Sequence, residues 1–149
     1  MNEFYQKSNE VFNNNIAWLL ASDIRIKNGQ NKGALFGWKN LNPVSFPFIY
    51  SEITGYGVTA FLWIYSLLGD RHALQAAKDA SQWIIKNMKS YLLVARPSAS
   101  DKSEQANNLY YAFDNAMIMM GLLNLHKITK EPEILKIAEQ MGKTIEKFS

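Results

Sequence analysis

The sequence predicts an all-α protein of antiparallel helical hairpins, in which outer amphipathic helices alternate with inner apolar ones. Three observations carry that expectation. An oily helix, a short polar break and an amphipathic helix occur in that order twice, 61 residues apart. The amphipathic members place apolar residues at helical spacing, so they bury one face only. Connections from inner to outer helix are tight, whereas those from outer to inner are long.

Taken in order, the first element is a helix over residues 3–22. Phe12, Ile16, Leu19 and Leu20 share one of its faces. Its "AWLLAS" parallels "SQWIIK" further on, which sets Trp18 against Trp83 and marks it as an outer helix. The stretch "IYSEITGYGVTAFLWIYSLLGD", residues 49–70, then starts with Glu52, Gly55, Gly57, Tyr50 and Tyr56 and turns almost wholly apolar. Its longest oily run, residues 58–68, is well short of the ~20 residues a membrane helix needs. Apolar nearly all round, it reads as an inner stave covered by neighbours on most sides. Gly69 suits the end of that helix and Asp70 the N-cap of the next. In the outer helix that follows, Ala73, Ala77, Ala80, Ile84 and Met88 recur on one face, with Lys78, Asp79, Gln82 and Lys86 elsewhere on the wheel.

The second copy begins when Asp114 is laid on Ile53. Leu122 then meets Phe61, Leu123 meets Leu62, Glu131 meets Asp70 and Ala138 meets Ala77. "AMIMMGLLNL" is the second inner helix. Glu131 and Pro132 supply a cap and a first helical residue, and Ile134, Ala138, Met141, Ile145 and Phe148 form the apolar face of the last outer helix. In an up–down array the long links, residues 25–50 and 91–113, fall at one end. Long loops on a rigid scaffold are where function concentrates.

Composition narrows the classes. At 149 residues, 48% hydrophobic and 19% charged, the chain reads as one globular domain. The net charge of +3 is mild and the lysines are spread over helix faces, so no nucleic-acid partner is expected. Without cysteine there is no disulfide, thiolate zinc site or cysteine nucleophile. Two histidines, His72 and His126, are too few for a histidine-rich metal site, so neither metal nor cofactor is expected. "MNEFYQKSNEVFNNN" lacks the pattern of a signal peptide, which makes cytoplasmic the default location and leaves no membrane association to expect. "GQNKGALFG" lacks the ending of a phosphate loop and reads as a turn. "RPSASDKSEQANN", residues 96–108, is polar and small and reads as a mobile loop.

Glu52 and Asp114 both stand at the start of an inner helix, at the long-loop end. Neighbouring helices pack ~8–10 Å apart, compatible with the ~6.5–9.5 Å that suits an acid and a base flanking a water. The competing reading makes them helix caps and macrodipole partners. Phe36, Trp38, Phe46, Phe48, Tyr50 and Tyr56 crowd the first mouth, and Tyr110, Tyr111 and Phe113 the second. They suit either stacking against sugar rings or plugging the end of the array. His126 reads as a packed or edge histidine, and Met117, Met119 and Met120 as core filling.

"SEITGYG", then "LLGDRHALQAAKDASQWI", then "YYAFDNAMIMMGLLNLHKITKEPEILKIAEQ" resemble hairpins of the six-hairpin glycosidase-like superfamily, over roughly residues 12–148. The resemblance implies part of an (α/α) toroid that binds carbohydrate where its inner helices begin. It implies a glycoside hydrolase-like reaction on an oligosaccharide or a uronic-acid sugar. In the unsaturated glucuronyl hydrolases two acidic residues on successive inner helices do this work. Asp114 matches one such position by pattern, while Glu52 falls one residue out of register. On that reading Asp114 and Glu52 are the catalytic pair, and Trp38, Tyr50, Tyr56 and Tyr111 contact the sugar. Six hairpins at this period need about 366 residues. A chain with two hairpins and a leading helix is therefore expected to be a fragment missing the remainder of its toroid, a homo-oligomer that completes the ring by association, or a small open array. The alternative function is a non-catalytic helical repeat that associates with itself or a protein partner through an uncovered inner face.

Overall fold

The computed structural model describes residues 3–97 and 108–148. Its helices are α1 (Glu3–Ala21), α2 (Ser51–Leu68), α3 (Arg71–Asn87), α4 (Ala112–Thr129) and α5 (Pro132–Ile145), the last running into a 3₁₀ turn over Glu146–Phe148. The fold is all-α. The inner helices α2 and α4 pack on each other, α3 on α2, and α5 on α4. Ten of the residues read as a mobile loop, 98–107, lie outside the described residues.

The 61-residue period holds to the residue. Moved by 61, α2 falls on α4 and α3 falls on α5 with its 3₁₀ turn. Each inner helix follows an extended tyrosine, Tyr50 or Tyr111, and ends at a left-handed residue, Gly69 (φ 69°) or Lys130 (φ 60°). Asp70 accepts hydrogen bonds from the backbone N–H of His72 (2.7 Å) and Ala73 (3.4 Å), as its N-cap role requires. Glu131 occupies the equivalent place without a side-chain cap bond, and Pro132 opens α5.

Two glycines bring the inner helices together. A Cβ on Gly55 would lie 2.8 Å from the Cα of Ile118, and one on Gly121 would lie 2.8 Å from the carbonyl oxygen of Gly55. Behind this contact Val58, Phe61, Leu62, Ala77, Ile84, Ile118, Leu122 and Met141 form the core.

The first long link, residues 22–50, is folded tightly against α3. Gly33 sits at φ 95°, where a Cβ would fall 2.1 Å from the carbonyl oxygen of Asp79. Lys32 Nζ pairs with the Asp79 carboxylate at 3.1 Å, and Trp83 Nε1 donates to Asn31 at 3.2 Å. "GQNKG" is thus a turn seated on an outer helix. Beyond it a small antiparallel hairpin of β1 (Asn40–Leu41) and β2 (Val44–Ser45) turns at a cis Asn42–Pro43 bond.

One expectation is corrected and one is refined. Trp18 is 57% exposed and Trp83 2%, so their parallel fails. Trp83 lies under the first link and bonds to Asn31, whereas Trp18 stands on the open side of α1, whose Ile16, Leu19 and Leu20 pack on the core and whose Phe12 meets Trp63 edge-on at 5.8 Å. The inner helices are covered on most sides, as expected, but each keeps an open stripe. Trp63 (55% exposed), Leu67 and Tyr56 form an open stripe on α2, and Phe113 and Met120 stand open on α4. Apolar composition reported what these helices prefer, not what the described chain supplies to cover them.

Candidate functional site

Both inner helices begin at the long-loop end, and each clasps a loop segment with a side chain in its first turns. Thr54 Oγ1 donates to the carbonyl of Tyr50 and accepts from the backbone N–H of Leu35, both at 3.0 Å. Asn115, its counterpart 61 residues on, donates to the carbonyl of Tyr111 (3.0 Å). It also accepts from Leu93 N–H (2.8 Å) and donates to Leu93 C=O (3.1 Å). Ser51 joins the two mouths: its N–H donates to Ala95 C=O (3.0 Å) and its hydroxyl to Val94 C=O (2.6 Å). The start of α2 is thereby tied to the segment that precedes α4.

That segment delivers Arg96. Its guanidinium lies over the Phe48 ring at 4.6 Å and reaches Tyr50 at 5.8 Å. Phe48 is wholly buried, with Trp38 edge-on to it at 4.6 Å and Tyr50 at 5.9 Å. The two readings of the aromatics therefore divide: Phe48 plugs the end of the array, while Trp38 keeps an exposed surface beside it.

Asp114 faces inward at this mouth. It is 4% exposed, and its Oδ2 has no hydrogen-bond partner. Burial holds its carboxyl above the usual carboxylate range and the charge of Glu52 adds to that. Its own backbone N–H and the charge of Arg96 act the other way. The Tyr50 phenol is likewise pushed up, first by burial, then by the charge of Asp114, by a hydrogen bond to the Glu52 carboxylate and by that carboxylate's charge; Arg96 opposes. Among the described residues Arg96 makes no ion pair with either acid; the two pairs found are Lys27–Asp23 and Lys32–Asp79. A buried acid, a second carboxylate, a phenol and a guanidinium thus share one mouth. Perturbed titratable groups gathered at one end of a helix array mark a candidate site for proton transfer.

The capping reading fails in its strict form. The N-cap positions are Tyr50 and Tyr111, neither with a side-chain cap bond, and Glu52 and Asp114 lie inside the first turns. The structure joins Glu52, Tyr50 and Asp114 electrostatically, with Trp38 reached through Phe48. Tyr56 stands one turn beyond Glu52 on α2, and Tyr111 precedes α4; both are exposed. Arg96 was missed. Its only signal was a basic residue at the end of the array that holds two acids, inside a stretch read as mobile. His126 is an edge histidine, as expected, with Nδ1 2.9 Å from the Glu131 carbonyl. Of the three methionines, Met119 packs on the core and Met120 is exposed. Among the described residues no group of three or more acids and histidines could hold a metal ion, and no helix is long and apolar enough to cross a membrane.

No family model matches the chain, and no curated protein matches it in sequence. A solved polysaccharide lyase matches in structure, with a TM-score of 0.67 over 87% of this chain at 14% identity. The chain spans 20% of that lyase. The all-α hairpin arrangement is therefore shared with part of a polysaccharide lyase, which fits a helical, toroid-like architecture at that coarse level.

Proposed function

We propose that the long-loop mouth is a carbohydrate-active site for an oligosaccharide bearing uronic acid, with Asp114 and Glu52 as its acid–base pair. The observation that carries this reading is the buried Asp114 carboxyl, its Oδ2 without a hydrogen-bond partner, set beside Glu52 and Arg96. The fold shared with a polysaccharide lyase supports it. On this reading the more buried Asp114 donates the proton to a leaving oxygen, while Glu52 accepts one. Arg96 pairs with the sugar carboxylate, its planar fork suiting a bidentate contact. Trp38, Tyr50, Tyr56 and Tyr111 form the sugar-contacting shell.

The test is calorimetric titration of uronic-acid oligosaccharides and their neutral counterparts, followed by analysis of any cleavage products. Acidic sugars should bind and neutral ones fail. Arg96→Gln should weaken acidic binding by about tenfold or more, the ~1.5–3 kcal/mol of a charged hydrogen bond. Asp114→Asn should abolish turnover while sparing binding. Equal binding of neutral sugars, or turnover intact in Asp114→Asn, would sink the reading.

A second reading draws on the open stripe of Trp63, Leu67 and Tyr56. In it the chain is a helical-repeat module whose uncovered inner faces associate with a second copy or another partner. Light scattering across a concentration series of the protein should then show mass rising with concentration and no response to sugars. A constant mass of about 17 kDa would remove self-association.

A further inference from the structure

The repeat contains a difference that bears on the mouth. At equivalent positions, Thr54 clasps its loop segment through one backbone group, the Leu35 N–H, whereas Asn115 clasps both groups of Leu93. A hydroxyl that donates to its own helix has only acceptor capacity left for the loop. A carboxamide carries an acceptor and two donors in one plane. It can meet N–H and C=O of one residue and still bond its own helix. Such a two-point contact fixes the direction of the segment as well as its position.

That segment is pinned at every step. Leu93 is held by Asn115, Val94 by the Ser51 hydroxyl, and Ala95 by the Ser51 N–H and by its own N–H to Leu109 C=O at 2.8 Å. The next residue is Arg96. Its guanidinium lies over Phe48 and Tyr50, and its charge acts on Asp114 and Tyr50. The two clasping residues, Ser51 and Asn115, directly adjoin Glu52 and Asp114 in sequence. The first copy's clasped segment continues into Phe36, Gly37 and Trp38, and its cation, Lys39, lies over Phe46 instead.

We propose that Asn115 is a positioning residue: through Leu93 it sets the strap of residues 93–95 so that Arg96 is held over Phe48 and Tyr50, at the mouth that carries Asp114. The inference rests on the proposed function only for the purpose of Arg96. Its test reads the mouth directly and stands whether or not a sugar binds.

The groups facing Asp114 are Glu52 from α2 and Tyr50 and Arg96 from the two links. Because Arg96 holds the Asp114 carboxyl down, releasing the strap should let it rise. The experiment is a carboxyl-carbon NMR pH titration of Asp114 in four full-length chains: wild type, Arg96→Gln, Asn115→Thr, and the double variant. Asn115→Thr installs the first copy's clasp and keeps the acceptor for Leu93 N–H. We expect an upward shift of the Asp114 midpoint in Arg96→Gln and in Asn115→Thr. In the double variant Asn115→Thr should add nothing to Arg96→Gln. An unmoved midpoint in Asn115→Thr, or a shift that persists in the Arg96→Gln background, would overturn the proposal. Should Asn115→Thr fail to fold, Ser51→Ala takes its place, with the same direction expected and the same two outcomes against it.

Discussion

Set side by side, the hairpins α2–α3 and α4–α5 begin and end at equivalent residues, yet hardly any residue is shared between them. What recurs is whatever backbone geometry demands: an extended tyrosine before each inner helix, a side chain in the first turns that clasps a loop, and a left-handed residue at the helix end. What diverges is the mouth. Asp114 falls on Ile53 and Phe113 on Glu52, so the two acids are offset by one residue. On a helix of 3.6 residues per turn that is a rotation of about 100°. The offset turns Asp114 inward to near-complete burial and leaves Glu52 partly exposed. A duplicated scaffold has thereby come to offer two carboxyls in unlike environments, the condition for splitting acid from base.

Substitutions that exchange the copies sharpen this contrast. The largest effect is expected where the copies meet. Gly55→Ala must displace the Ile118 backbone and should cost about 1–3 kcal/mol in denaturant unfolding, the usual penalty of overpacking. A neutral result would mean that the close approach of α2 and α4 is not required.

A smaller effect is expected at the helix ends. Lys130→Gly, which gives α4 the terminus of α2, should stabilise by about 1 kcal/mol, because a left-handed residue with a Cβ carries a penalty of about that size. Gly69→Lys should cost about as much. Equal and opposite shifts in the denaturation midpoint would confirm that the two ends are the same device. Unequal ones would mean that local contacts at Lys130 have taken over.

These copies also show what the sequence could reveal. The period, Gly69 and Asp70, Pro132 and the two acids at helix starts were legible because each rests on local backbone chemistry. Lys130 was not, since a lysine carries no signal of a left-handed φ. The open stripe of Trp63 and Leu67 was not, because periodicity measures apolarity and not what covers it. Arg96 was hidden for a further reason. Its place depends on Asn115 and Ser51, 19 and 45 residues away in the chain, and no local pattern encodes such a strap.

The most direct test of Asp114 as a carboxyl kept for chemistry, not for the helix start, is thermal unfolding of Asp114→Asn against wild type from pH 3 to pH 8. Burial raises the folded-state pKa of Asp114 above its ordinary value of 3.8. Below that value the carboxyl is neutral in both states and carries no penalty. As pH rises from that value to the folded pKa, the unfolded state ionises ahead of the native one and stability falls; above it both are ionised and the penalty of the buried charge stays in full. Asp114→Asn should therefore melt above wild type at pH 7, with the gap closing as pH falls below about 4. A variant that melts at or below wild type at pH 7, or a gap that ignores pH, would instead make Asp114 a stabilising partner of the α4 dipole.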